Sequence, residues 1–305
     1  MIWINFLHIY QPAHIDAYII EEATDKSYFR IIKNLEENPH LKFTLNISGC
    51  LVLRWEELGY HDLIKRITKL LENGQIELTG SAAYHLFIPL APKDEVKRQI
   101  NENEKILKKY FGDNLRLRGF YFPEMAYSAE MSVLVKEAGY KWIIVDEITV
   151  FSKLGENNLE NVFKDSNSGL LVVARSRKYS DSYVPKTVLD LLESGNKFVI
   201  TASDGELYGL RHEDPEDYFG QVSKKKEIKT LTISEFIENK KGKEMTLVNS
   251  HWNANIDDLK NGDNYSLWCD KKNKIQNEIW DLANFAYKMV DNNRDDENYK
   301  WAYFR

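Results

Sequence analysis

Short apolar runs alternate with longer amphipathic stretches along most of the chain. The runs at 2–7, 42–47, 75–79, 117–122, 142–145, 170–174 and 198–202 are strongly apolar, as strands covered on both faces must be. A weaker run occupies 246–249. Between the runs, 60–73 places Leu63, Ile64, Ile67, Leu70 and Leu71 on one helical face. Residues 94–110 do the same with Val96, Ile100, Ile106 and Leu107, and 129–138 form a third such stretch. Strands alternating with helices predict an α/β domain on a parallel sheet. Seven or eight such units over about 250 residues favour a barrel over an open doubly wound sheet. No glycine-rich dinucleotide fingerprint follows the first strand.

After Asn249 the pattern changes. Residues 250–270 are polar, with Trp252 and Trp268 among several Asn and Asp residues, and predict a long loop. Residues 274–290 bring Ile275, Ile279, Leu282, Phe285, Ala286 and Met289 to helical spacing beside Trp280. The final run, Trp301-Ala302-Tyr303-Phe304-Arg305, carries rings that need something to pack on. The expected division is a barrel over 1–249 and a loop plus helical C-terminal segment over 250–305, packing near the active-site groove.

Composition narrows the partners. The 305 residues are 43% hydrophobic and 29% charged, enough for a buried core without covalent staples. The net charge of −6, with Lys and Arg scattered, argues against a nucleic-acid groove or an anionic membrane surface as the main partner. Cys50 and Cys269 are the only cysteines, so no disulfide framework is expected. No basic residue precedes Lys26, and no run approaches about eighteen apolar residues, so a soluble, cytoplasmic protein is expected. Aromatic residues make up 12% of the chain, and composition alone does not decide whether those rings fill a core or line a groove for something flat and polar.

In a parallel barrel the active site lies at the carboxyl ends of the strands. Polar and ionisable groups converge there: His8, Tyr10 and Gln11 after the first run, Asn46 and Ser48 after the second, Glu77 within the third. Glu124 follows the fourth, Asp146 and Glu147 the fifth, Arg175 the sixth, Asp204 and Glu206 the seventh. Glu124 and Asp204 form the pair best suited to chemistry, because Pro123 and Gly205 fix the backbone beside them. Two opposed carboxylates are what glycosidic cleavage requires, one as nucleophile or base and the other as acid. Taken singly, each acid is better explained by capping a helix or pairing with a lysine; taken together at strand ends, the catalytic reading gains. His8 suits either a substrate hydroxyl or a structural hydrogen bond. Glu77 must point away from Ile76 and Leu78, and an inward acid needs solvent, ligand or a partner. Tyr121, Tyr208, Trp252 and Trp268 can stack on sugar faces or simply fill the core. The seven histidines include no His-x-x-x-His pair, and no metal or cofactor is expected from local motifs.

These segments, in this order, resemble glycoside hydrolase family 57. His8-Ile9-Tyr10-Gln11-Pro12 resembles its first signature, His-x-His-Gln-Pro, with Tyr10 in place of the second histidine. Gly74-Gln75-Ile76-Glu77-Leu78 and Gly119-Phe120-Tyr121-Phe122-Pro123-Glu124 resemble the second and third, and Ser203-Asp204-Gly205-Glu206-Leu207-Tyr208-Gly209 the fourth. A weaker likeness continues through Ser234-Glu235-Phe236 and Ser250-His251-Trp252. The resemblance implies a (β/α)7 barrel followed by a helical segment, and a retaining α-glucan-active hydrolase or transglycosylase. Glu124 would be nucleophile and Asp204 acid/base, with His8 and Glu77 touching the sugar at the cleavage point. An α-amylase, a 4-α-glucanotransferase and a branching enzyme share these residues. A metal-dependent carbohydrate deacetylase on a similar barrel, or a non-catalytic glucan-binding protein, would be a different class.

Overall fold

The computed structural model describes residues 1–151 and 160–293. Seven parallel strands follow the predicted runs: β1 (Ile2–Ile9), β2 (Phe43–Ile47), β3 (Ile76–Leu78), β4 (Gly119–Tyr121), β5 (Trp142–Asp146), then, after a short β6 (Phe163–Asp165), β7 (Leu171–Arg175) and β8 (Phe198–Asp204). They form two half-sheets, one ordered β3-β2-β1-β8 and the other β7-β5-β4. One seam is made at Gly80, whose N–H donates to Gly119 O and whose carbonyl accepts from Tyr121 N, both over 2.9 Å. At the other, Ser176 N donates to Ile200 O over 3.0 Å. The order around the molecule is therefore that of a (β/α)7 barrel.

Three short strands were not apparent from hydrophobicity. β6 runs antiparallel to β7 and carries β10 (Lys243–Met245) on its other edge, while β9 (Lys229–Thr230) pairs with β1. The weak run at 246–249 is not a strand. Leu247 is buried, but the backbone of Val248 bonds singly to Thr149, and Ser250 makes an isolated bridge to Tyr127. Predicted helices appear at His61–Glu72, Lys93–Phe111, Ala129–Glu137 and Lys274–Asn292.

Strand alternation positions the site. On β1, Trp3, Leu7 and Ile9 face the surrounding helices, while Ile4 and Phe6 enter the barrel core with Trp142, Ile144, Val173, Ile200 and Ala202. The next residues in these inward rows are His8, Asp146, Arg175 and Asp204, so each row begins apolar and ends polar at the mouth. The short helix Ile233–Ile237 closes the base with Ile233, Phe236 and Ile237.

The polar segment after 249 contains a short helix, Ile256–Asn261, and docks on the barrel through aromatic rings. Trp268 stacks on Phe87 with centroids 4.6 Å apart, and the Tyr265 hydroxyl donates to Tyr127 O over 2.7 Å. Trp280 Nε1 donates to Trp268 O over 2.9 Å, tying on the helix Lys274–Asn292. The opposite face of that helix leaves Ile275, Ile279, Leu282, Phe285 and Met289 between 48% and 69% exposed. The aromatic run at 301–304 lies outside the described residues. Among the described residues, no helix is long and apolar enough to cross a membrane.

Candidate active site

A cavity of about 540 Å³ opens at the carboxyl ends of the strands, lined among others by His8, Tyr10, Tyr121, Glu124, Asp204 and Trp252. Glu124 follows β4 on a tight turn that begins at Pro123, and its backbone adopts φ 62°, a left-handed conformation that non-glycine residues rarely take. Its two oxygens are held separately. Oε1 lies 2.9 Å from His85 Nε2, and Oε2 accepts from Trp252 Nε1 over 2.8 Å. Burial alone would raise the Glu124 carboxyl, but the bonds and charge supplied by His85, then Trp252 and His8, outweigh it and leave it below the usual carboxylate range. Glu124 is thus held as an anion, the state a nucleophile needs.

His8 stands beside it on β1. Asn46 Nδ2 donates to Thr79 Oγ1, which turns the Asn46 oxygen toward His8 Nδ1 at 2.9 Å. That pairing selects the Nδ1–H tautomer and leaves Nε2 as an acceptor. Burial, then the neighbouring His85, lowers the His8 pKa to about 4, so the ring is neutral. Tyr10, His85 and His8 form a ring stack, with centroids 4.0 Å apart for Tyr10–His85 and 4.9 Å for His8–His85. Tyr121 is largely buried, tilted against His8 at 4.8 Å, and reaches the cavity wall.

Asp204 ends β8 in register with His8, and its Oδ2 accepts from Arg211 Nη1 over 3.0 Å. Glu206, two residues on, turns inward to 3% exposure. Its Oε1 accepts from Gln11 Nε2 over 2.6 Å and from the Tyr28 hydroxyl. Burial, reinforced by the charge of Asp204, pushes its pKa up to about 7.

Three expected sugar contacts fall elsewhere. Gln11 is buried and spends its amide on Glu206 and Tyr28. Tyr208 is fully buried, edge-on to Phe219 and Tyr183, because the turn Gly205–Tyr208 carries it back under the helices. Glu77 does point inward, but in the layer of Thr44, beneath His8. There it accepts from Thr44 Oγ1 and Ser234 N, each over 2.9 Å, and burial raises its pKa. Its partner is the helix at the barrel base.

Sequence patterns did not reveal His85, Arg177 or Arg211 as site residues. His85 lies only seven residues past β3, on a loop without periodicity. Arg175 and Arg177 share the buried Asp146: Arg175 Nε donates to Oδ2 over 2.9 Å and Arg177 Nη2 to Oδ1 over 2.7 Å. Arg177 Nη1 also donates to Ala254 O over 2.8 Å, so this ion cluster anchors the loop that presents Trp252. Among the described residues, no three His, Cys, Asp or Glu side chains gather as a metal site.

The chain and its fold are similar to known proteins. An alpha-amylase of Pyrococcus abyssi is 26% identical over 263 residues, covering 79% of this chain and 40% of that protein. The chain spans between 31% and 40% of the length of the curated amylases it matches. Its fold superposes on the crystal structure of a branching enzyme from Thermococcus kodakaraensis with a TM-score of 0.77 at 16% identity, covering 94% of this chain and 78% of the other. For the 4-alpha-glucanotransferase of Thermococcus litoralis the TM-score is 0.73 at 21% identity, covering 82% and 42%. The sequence model of glycosyl hydrolase family 57 matches residues 3–249, and the chain belongs to that family.

Proposed function

We propose that this chain is an α-glucan-active glycosidase acting with retention of configuration. The observation that carries the reading is the pair of carboxylates at one mouth, Glu124 held as an anion between two donors and Asp204 at the end of β8. Glu124 attacks the anomeric carbon while Asp204 gives its proton to the departing glycosidic oxygen. In the second half, Asp204 takes a proton from water as its oxygen attacks the same carbon, and the Glu124 carboxylate leaves. His8 Nε2 is available to accept from a sugar hydroxyl, and the rims of Tyr10, Tyr121 and Trp252 provide flat surfaces for a pyranose. Relatives named alpha-amylase and 4-alpha-glucanotransferase support the substrate class.

A sugar hydroxyl in place of water turns the same steps into glucan transfer, the alternative shared by relatives named 4-alpha-glucanotransferase and 1,4-alpha-glucan branching enzyme. Incubation with maltoheptaose, followed by NMR of the first-formed products, tests both parts. Products that appear first as α-anomers are expected. First-formed β-anomers would exclude retention, and no turnover of any α-glucan would remove the substrate class. A ladder of longer oligosaccharides identifies transfer, whereas only shorter sugars with new reducing ends identify hydrolysis.

A further inference from the structure

We propose that His85 is the positioning residue of the nucleophile, holding Oε1 of Glu124 so that Oε2 is the atom that bonds to the anomeric carbon. The inference rests on the reading of Glu124 as nucleophile and adds which oxygen reacts and what fixes it.

The two donors to Glu124 differ in kind. The His85 side chain is only 10% exposed and does not line the cavity, whereas Trp252 lines it and is 37% exposed. Oε1 therefore faces the protein and Oε2 faces the space a sugar would fill. His85 is also held by neighbouring rings and through its loop. Tyr10 covers one face of the ring at 4.0 Å, nearly parallel at 16°, and His8 stacks within 4.9 Å. Its loop is tied to the helix Lys93–Phe111, because Tyr84 N donates to the buried Gln99 Oε1 over 2.9 Å and Ala83 N to Gln99 O over 3.2 Å. His85 and Glu124 both sit in left-handed backbone, with φ of 56° and 62°, and are joined to each other through their side chains. Such conformations persist where the surroundings over-determine them, and they cluster at functional sites.

The chemistry gives the bond a use. As Oε2 forms the C–O bond, the leaving oxygen departs with the electrons of the glycosidic bond and takes the proton of Asp204. Oε1 then becomes the ester carbonyl and still accepts from the His85 Nε2–H. When water or a sugar hydroxyl displaces the ester, both electrons of the C–O bond return to Glu124, and His85 meets the carboxylate as it reforms. The Trp252 indole gives up Oε2 in the first step and regains it in the second.

The test compares His85→Asn, which tolerates the left-handed backbone but is too short to reach Oε1, with His85→Gln, whose amide replaces the Nε2 donor. The titratable groups facing Glu124 and His85 are His8, Tyr10, Tyr121 and His251, with Asp204 and Arg175 beyond them. All stay unchanged in both variants. On maltooligosaccharides, His85→Asn should lose about a hundredfold in kcat with little change in KM. The acid limb of its kcat/KM profile should move to higher pH, because Glu124 loses a donor that favours its anion. His85→Gln should regain at least about tenfold of the loss and return the limb toward its original position. A normal kcat and limb in His85→Asn, or a loss confined to KM, overturns the inference. So does equal damage in both variants with the limb unmoved, the mark of a merely structural role. Glu124→Gln assayed alongside separates the two readings: if it turns over normally, Glu124 is not the nucleophile, whatever His85 does.

Discussion

Gln11 donates its side-chain amide to Glu206 Oε1 over 2.6 Å, joining the segment after β1 to the segment after β8 behind the mouth of the barrel. The glutamine therefore serves a second carboxyl rather than a sugar, and that carboxyl is largely protonated below about pH 7. The Glu206 pKa rises on folding from 4.5 to about 7, so the folded state binds the extra proton between those values. Its contribution to stability is full below 4.5 and declines as pH rises toward 7. His8 and His251 act in the opposite sense, since folding lowers each from 6.5 to about 4 and stability is lost as pH falls through that window. Glu206→Gln should remove the first effect only. Thermal melts from pH 5 to 7.5 should show the variant gaining on the parent as pH rises. A constant difference in Tm across that range would mean Glu206 is ionised throughout.

The two carboxylates at the mouth should fail differently. Glu124→Gln is expected to lose about ten-thousandfold or more in kcat on every glucan, because a neutral amide is too poor a nucleophile to form the ester. Asp204→Asn is expected to lose about a hundred- to ten-thousandfold on maltooligosaccharides and much less on aryl glycosides, whose leaving groups need no proton. Equal losses on both substrate types would argue against the acid role.

Asp146 is fully buried and carries two arginines, one of which clamps the loop just after Trp252. Asp146→Asn takes the buried counter-charge from Arg177 and leaves Arg175 with the half-exposed Asp181 at 3.3 Å, and breaking a buried pair costs about 3–5 kcal/mol. A lowered midpoint in chemical denaturation should be accompanied by a raised KM, because the indole of Trp252 loses its anchorage. An unchanged midpoint would show that Arg175 and Arg177 find other partners.

Gly80 forms the seam between β3 and β4, and a Cβ there would overlap the ring and hydroxyl of Tyr140. Gly80→Ala should cost on the order of 1–3 kcal/mol, since neither the seam backbone nor the buried Tyr140 ring can easily give way. Calorimetry reads this directly, and a melt within a degree of the parent would sink the packing argument.

The barrel was legible because seven apolar runs coincide with seven strands, and the inward rows that end in His8, Asp146, Arg175 and Asp204 follow from alternation alone. What happens beyond a strand's last residue does not. Tyr208 and Gln11 lie within a few residues of the mouth, yet turns carry one into the helices and the other toward Glu206. Glu77 points inward as its neighbours require, but strand register sets its depth, and register is a property of two strands. His85 reaches Glu124 from a loop whose backbone angle no periodicity announces. The family signatures located Glu124 and Asp204 without showing what holds either of them.

Glu124 belongs to the half-sheet that contains β4, and Asp204 to the half that contains β8. The jaws of the site are thus mounted on separate plates, each rigid through its own ladder, and meet at seams as narrow as the Gly80 bonds and the Ser176–Ile200 bond. The gap between the two carboxylates is a dimension of the seams, not of either plate. Parting the plates slightly would retune that gap while leaving every strand intact, so damage at Gly80 should register in turnover before it registers in circular dichroism.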